Sequence, residues 1–398
     1  MTQTPKPPFE FGRELSEREL VDREDELVAV VRAMQEGGRL FLIGPRRFGK
    51  TSILRVAAET AESKGVVVLR HDAEAYPTVQ SLAEAIVADG ARRLTTSIER
   101  AGRKIGQFFA ALRPQVRFDP MDGSMSIALA EHPVARDHPA LLAAVLDGLN
   151  AMAGQSKRPV AVVIDEFQRV VEQGGTGEGV VADAEAQLRA AVQRHDHVGY
   201  VFAGSKTGLL TKMTGDASRP FYRIGSRLFL GPIPRSDFAA FLTNGFESGG
   251  YEADEEGVAA ILELAEDVPY NVQRLAYECW NLLRDGGAIQ VGSDTVREAL
   301  DRLVRRDDPF YTQTWNSLVS TQQRALMAMV AGAGEGMLSQ EVLGSHGLAA
   351  ATMQTAIRAL IKKGILRYEE ARGSVRYRLE DPFLGAWVDA FVKPAPSG

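Results

Sequence analysis

Gly44-Pro45-Arg46-Arg47-Phe48-Gly49-Lys50-Thr51, followed by Ser52, is the stretch of the chain whose residue types and spacing point most directly to chemistry. It is a glycine-framed turn closing on a lysine and a hydroxyl residue, with an apolar strand before it and a helical pattern, Thr51 to Ala61, behind it. Gly44 and Gly49 let the backbone bend so that successive N–H groups converge on phosphate oxygens, where the start of a helix adds positive potential. Lys50 supplies a point charge for β and γ phosphates and Thr51 a hydroxyl for magnesium, so the expected ligands are ATP and Mg2+. A turn merely capped by Lys50 is the alternative, and the strand-turn-helix context argues against it.

A phosphate site of this kind needs an acidic residue at the end of a second buried strand. Val160 to Ile164, followed by Asp165-Glu166, meets that need. Asp165 would hold magnesium, usually through water, and Glu166 would polarise the attacking water. The same two carboxylates could instead cap the next helix, Phe167 to Glu172. A third strand, Val198 to Ala203, delivers Gly204-Ser205-Lys206-Thr207. Ser205 is then the candidate to sense the γ phosphate, with helix capping as its other reading. His195 and His197 flank Asp196 but lack a third spaced ligand or a nearby cysteine, which favours helix-end or surface histidines over a metal site. Ser205 has no His and Asp partners in its sequence context, so a hydrolase triad is not supported.

The elements that must position these residues follow from periodicity. Arg39 to Ile43, Val66 to Leu69, Val160 to Ile164 and Val198 to Ala203 are apolar runs without solvated alternation, separated by helical patterns such as Ser81 to Ala88 and Ala182 to Gln193. Strands apolar on both faces and alternating with helices imply an α/β core, a parallel sheet covered by helices, of the P-loop NTPase kind. A helix from Arg23 to Met34 with an acidic first turn leads into the first strand. Gln115 to Leu129 has turn chemistry at Asp119-Pro120 and Asp122-Gly123, which predicts an inserted hairpin. Gly231-Pro232-Ile233-Pro234 breaks the chain, and helical patterns then run to about Arg306. From about Thr312 the tail reads helix, turn, helix, a longer helix from Ala350 to Lys363, and two strands around a glycine turn: a winged helix. The expected domains are 1–230, the P-loop α/β core with a basic insertion at about 91–130; 231–311, an all-helical unit; and 312–398, the winged helix. Residues 1 to about 12 read as a loose leader.

Composition sets the outer limits. The chain has 398 residues, 45% apolar and 25% charged, which suits two or three globular domains and excludes fibrous or disordered classes. Cys279 is the only cysteine, so no intrachain disulfide can form and a buried thiol is expected. No apolar run approaches the roughly 20 residues that cross a bilayer, and the first residues lack a secretion signal pattern, so a cytoplasmic protein is expected. A net charge of −6 argues against a chain that coats nucleic acid throughout. Between Ala91 and Phe118, however, Arg92, Arg93, Arg100, Arg103, Lys104, Arg113 and Arg117 face only Glu99. That segment is either an electrostatic docking patch or an amphipathic helix against an acidic surface.

The order of these motifs resembles the archaeal-type ATPases, a group within the AAA+/STAND P-loop ATPases related to the origin-recognition clade. The resemblance rests on Phe11-Gly12, Arg23-Glu24-x-Glu26-Leu27, GPRRFGKTS, VVIDEFQ, FAGS, Pro220-Phe221-Tyr222-Arg223, Val268-Pro269-Tyr270-x-x-Gln273 and Asp381-Pro382-Phe383-Leu384, and it spans roughly residues 9 to 391. It implies an ATPase core, a helical lid and a winged helix, with the Arg23 to Leu27 segment near adenine and Pro269 closing the lid over the base. It also implies that Arg223 acts in trans as an arginine finger; pairing of Arg223 with an acidic lid residue is the alternative. Asp22 and Asp267 stand where the group usually has glycine.

The sequence therefore predicts an ATPase of low turnover whose cycle switches conformation or assembly, with nucleotide-dependent homo-oligomers. Its expected partner is duplex DNA, met by the winged helix through Arg358, Lys362, Arg372, Arg376 and Arg378 and by the basic segment 91–118. The alternative is a signalling or defence scaffold that binds a protein partner through the winged helix. No membrane partner is expected.

Overall fold

Apolar runs that cannot present one face to water end up in the middle of a sheet. The computed structural model describes residues 6–95, 98–118, 125–129, 138–173, 178–371 and 374–392. They fall into two compact units, Glu14–Gly231 in one, and residues up to Arg13 together with Pro232 onward in the other.

The first unit runs α1 (Glu24–Gln35), β1 (Arg39–Ile43), α2 (Lys50–Ser63), β2 (Val67–Asp72), α3 (Val79–Arg93), α4 (Ile98–Phe108), β3 (Pro114–Phe118) and β4 (Met125–Leu129). It continues with α5 (His138–Ala153), β5 (Val160–Asp165), α6 (Gln168–Gln173), α7 (Glu178–Arg194), β6 (Val198–Gly204), α8 (Thr207–Gly215) and β7 (Ser226–Phe229). Five strands pair in parallel in the order β2-β5-β6-β1-β7. β5 and β6 are buried along their whole length, as continuous apolar runs require. On one side of the sheet Phe41, Phe167, Phe202 and Phe221 pack edge-to-face and tilted, with centroids 4.4 to 6.5 Å apart. β3 and β4 form the inserted antiparallel hairpin; the predicted turn residues 119–124 lie outside the described residues. β7 went unread in the sequence because, as an edge strand, only Leu228 and Phe229 of its four residues are apolar.

The second unit runs α9 (Arg235–Ser248), β8 (Glu252–Ala253), α10 (Glu255–Leu264), α11 (Pro269–Gly286), β9 (Gln290–Val291) and α12 (Ser293–Arg306). α13 (Asp308–Asn316), α14 (Ser320–Ala331), α15 (Gln340–Ser345), α16 (Ala350–Lys362), β10 (Leu366–Ala371), β11 (Ser374–Leu379) and α17 (Pro382–Phe391) complete it. β10 and β11 are the antiparallel wing, and the part expected to be all-helical also carries the two-residue parallel pair β8-β9. The leader differs from expectation. Phe9 is 1% exposed, with its ring centroid 4.7 Å from Phe246 and 6.1 Å from Trp280, and Glu10 N–H donates to Gln273 Oε1 at 3.0 Å. A β-carbon on Gly245 would lie 2.6 Å from the Phe9 ring, so that glycine makes room for it. A proline-containing stretch without periodicity shows no pattern from which such anchoring could be read. Cys279 is buried, and the burial pushes its thiol well above the ordinary range.

Candidate active site

The sheet brings three strand ends to one place. β1 ends at Ile43 and passes through the turn into α2; Gly44 N–H donates to Gly204 O at the end of β6, at 3.4 Å. A β-carbon on Gly44 would lie 2.8 Å from that of Leu230, so the turn can leave β1 this tightly only with glycine. Gly49 adopts φ 87 and Arg47 φ 67, both left-handed, which curls the segment back toward the helix start. The first intrahelical bond of α2 runs from Ile53 N–H to Gly49 O at 3.0 Å, so the amides of Lys50, Thr51 and Ser52 have no acceptor within the helix. This is a cradle for an anion, and α2 is 14 residues long.

Side chains complete it. Lys50 is 5% exposed and its Nζ donates to the Pro45 carbonyl at 2.8 Å, which lays the ammonium across the turn. Thr51 Oγ1 donates to Asp165 Oδ2 at 2.8 Å, joining the start of α2 to the end of β5. Asp165 Oδ1 accepts from Glu166 N–H at 2.9 Å, and Glu166 itself takes φ 48. Glu166 Oε2 then accepts from Ser205 Oγ at 2.7 Å, from Ser205 N–H at 3.2 Å and from Gln168 Nε2. Burial together with the neighbouring Glu166 charge pushes the Asp165 carboxyl above its usual range, against the pull of Thr51. Burial also works to raise Glu166, but the Lys50 charge and the bonds from Gln168 and Ser205 hold it below its ordinary value. A buried and a half-buried carboxylate beside one lysine, the buried one pushed upward, suit an added cation. Among the described residues no group of three or more His, Cys, Asp or Glu could hold a metal by itself. Thr51 Oγ1 and Asp165 are the one or two protein oxygens that a magnesium ion would take, with water and phosphate completing its shell.

The structure thus brings Gly44, Gly49, Lys50, Thr51, Asp165, Glu166 and Ser205 together. It gives the remaining candidates other surroundings. Ser52 Oγ accepts from Leu15 N–H at 3.0 Å, Phe48 is buried, and Arg46 pairs with Glu74 at 3.3 Å on the surface. Arg23 is buried, donating to Glu26 at 3.0 Å and to Gly231 O at 2.7 Å, beside a cavity of about 460 Å³ lined by Asp22, Glu24, Asp25, Glu26 and Leu228. Arg223 is exposed on the turn before β7, its guanidinium 5.0 Å above the Tyr222 ring. No carboxylate pairs with it among the described residues. Pro269 opens α11 in the second unit. Asp22 and Asp267, where the resembled group has glycine, sit at φ 48 and φ 54.

Sequence reasoning missed Gln168, which is 1% exposed and whose Oε1 lies 2.1 Å from where a Gly204 β-carbon would stand. The signal was its place two residues after Glu166 in VVIDEFQ. Of the histidine pair, His195 is buried, with Nδ1 2.6 Å from the Tyr200 hydroxyl and Nε2 2.8 Å from Asp147. In the basic segment, Arg92 and Arg93 bond Asp89, and Arg93 also pairs with Glu62, whereas Arg103 and Arg113 are exposed.

A five-stranded parallel sheet with this turn, these carboxylates and a separate wing is the build of a P-loop ATPase joined to a winged helix. Residues 19–202 match the AAA ATPase domain family, and residues 309–390 match the family described as a probable winged helix domain. The chain thus carries an AAA ATPase domain and a winged helix domain, as the resemblance in its motifs implied. In fold it is similar to the Walker-type ATPase of Pyrococcus abyssi, at 17% identity over 96% of this chain and 99% of that one, with a TM-score of 0.61. It is also similar to the ORC2 protein of Aeropyrum pernix in ADPNP–ADP complexes, at 15% identity over 93% and 94% of the two chains, with a TM-score of 0.52. No curated protein matches the sequence. No helix among the described residues is long and apolar enough to cross a membrane.

Proposed function

We propose that this chain binds Mg-ATP on the turn from Gly44 to Ser52 and hydrolyses it slowly, and that the cycle switches conformation or assembly in a nucleotide-dependent regulator that binds or remodels duplex DNA. The observation that carries this reading is the continuous linkage Thr51–Asp165–Glu166–Ser205 beside the buried Lys50. The amides at the start of α2 and the Lys50 ammonium bind the β and γ phosphates. Magnesium, held by Thr51 Oγ1 and Asp165, would neutralise charge on the phosphate oxygens. Glu166 takes the proton from the attacking water, and Ser205 orients Glu166 and senses the γ phosphate. Turnover by an isolated chain is low because Glu166 Oε2 is already occupied by its donors and because Arg223, exposed on its turn, serves a neighbouring copy. Arg23 and Pro269 belong to this reading on the adenine side, Arg23 by fixing the segment beside it.

Titration calorimetry with Mg-ATP tests the proposal. Lys50→Ala should abolish the binding heat, and Glu166→Gln should keep it while stopping phosphate release. Normal hydrolysis by the Glu166 variant would remove its assigned role.

The protein-scaffold reading has one observation in its favour. Two cations of the wing are engaged within the chain, Arg376 with Glu335 at 3.5 Å and Arg378 with Glu266 at 3.6 Å, whereas Arg358 and Lys362 of α16 are exposed and Arg372 lies outside the described residues.

A further inference from the structure

The loop that presents Arg223 has no regular structure of its own. From Asp216 to Gly225 the chain runs through turns between α8 and β7, tied by local bonds such as Tyr222 N–H to Arg219 O at 3.1 Å and Arg223 N–H to Thr214 O at 3.4 Å. Arg223 takes the left-handed φ of 54, which a non-glycine residue holds only when its surroundings determine it. Three anchors do so. Phe221 is fully buried against Phe41, Phe167 and Phe202. The other two come from α7. Glu185, with no exposed surface, takes Arg219 in a two-pronged ion pair, Nε to Oε2 at 3.1 Å with Nη2 on Oε1, and Arg189 Nη1 donates to the Pro220 carbonyl.

Glu185 and Arg189 are four residues apart and so share a helix face. They grip the two residues immediately before the Phe221 anchor, and Arg223 follows two positions later. A fully buried carboxylate is retained against its desolvation only with a partner of good geometry, and hydrophobic replacement would serve stability as well or better. What the ionic grip supplies is a fixed direction: the arginine fork binds a carboxylate in one plane and so orients the chain that carries it.

We infer that Glu185, Arg189 and Arg219 are positioning residues that fix the Pro220–Arg223 turn so that Arg223 can enter the nucleotide site of a second copy. The inference rests on the proposal that Arg223 acts in trans. Displacement of a catalytic group by about 1 Å lowers turnover by roughly a hundredfold, so loosening the clamp should abolish most of the finger's effect and leave the donor chain's own nucleotide site intact.

Arg189→Ala and Arg219→Lys separate the clamp from folding, since neither leaves Glu185 without a cation and Arg189→Ala disturbs no buried carboxylate. Each variant, checked by thermal melting, should bind a fluorescent ATP analogue as the parent does and lose turnover by about tenfold or more. Mixing either with hydrolysis-deficient Glu166→Gln copies, whose turn is intact, should restore turnover at the clamp variant's sites; a merely structural defect would not be rescued. Parent-like turnover, or loss without rescue, overturns the inference. Arg223→Ala in the same mixing assay isolates the underlying reading. If Arg223→Ala alone turns over normally, action in trans is wrong; if it fails and is rescued while the clamp variants turn over normally, only the clamp is wrong.

Discussion

Glu166 accepts three donors on a single carboxylate oxygen, from a backbone held at positive φ, so its aim is set by Ser205 and Gln168 as much as by its own place after β5. Ser205→Ala removes the hydroxyl donor and leaves the Ser205 amide. We expect turnover to fall roughly tenfold, with Mg-ATP affinity unchanged, in steady-state phosphate release compared with calorimetry. At this scale much was legible. The glycine spacing and the acidic pair after a buried strand name the cradle and the metal side because each demands particular residue types. What was not legible was partnership: nothing in the one-dimensional order says that Ser205 bonds Glu166 across 39 positions, or that Ser52 faces Leu15. Asp22 and Asp267 make the converse case. They depart from glycine in the resembled motifs, yet both occupy left-handed backbone, which aspartate tolerates better than most residues.

The strand β6 and helices α5 and α7 meet at a polar knot, in which the buried His195 bridges the buried Tyr200 and the more exposed Asp147, and Arg194 adds a bond to Asp147 at 2.9 Å. Burial lowers the His195 pKa below its ordinary value, outweighing Asp147, and burial does the same to His71 beneath Asp89. The unfolded chain therefore binds protons on these imidazoles before the folded one does. Stability from this source is full above the unfolded histidine value of about 6.5 and falls as pH drops below it. Urea melts at pH 7 and pH 5.5 should show the lower midpoint at pH 5.5, and His195→Asn should fall less steeply across that interval. An equal slope for parent and variant would exclude His195 as a source. Periodicity foresaw β1, β5 and β6 nearly to the residue because buried strands have no alternative pattern. It missed β7, and it read His195 as a helix-end or surface histidine; the helix end is right, since α7 stops at Arg194, but the histidine is buried. An edge strand and a polar bridge both depend on neighbours distant in sequence.

Across the molecule, charge separates the two readings of the winged helix. If duplex DNA is the partner, Arg358 and Lys362 of α16, both exposed, are cations that can meet phosphate. Replacing both by alanine should then reduce the slope of log affinity against log salt by roughly 2, measured by fluorescence anisotropy with duplex DNA between low and moderate salt. No change in slope, or no DNA-dependent signal in the parent, would favour a protein partner. The placing of Phe9 bears on how such a chain can be made. The ribosome emits this phenylalanine more than two hundred residues before its ring-mates Phe246 and Trp280, so the aromatic nest of the second unit stays incomplete while the P-loop unit is already able to mature. Closing it requires a segment made early to be kept unburied and then captured by one made much later, a slow, high-contact-order step. A stretch that reads as a loose leader is the keystone of that nest.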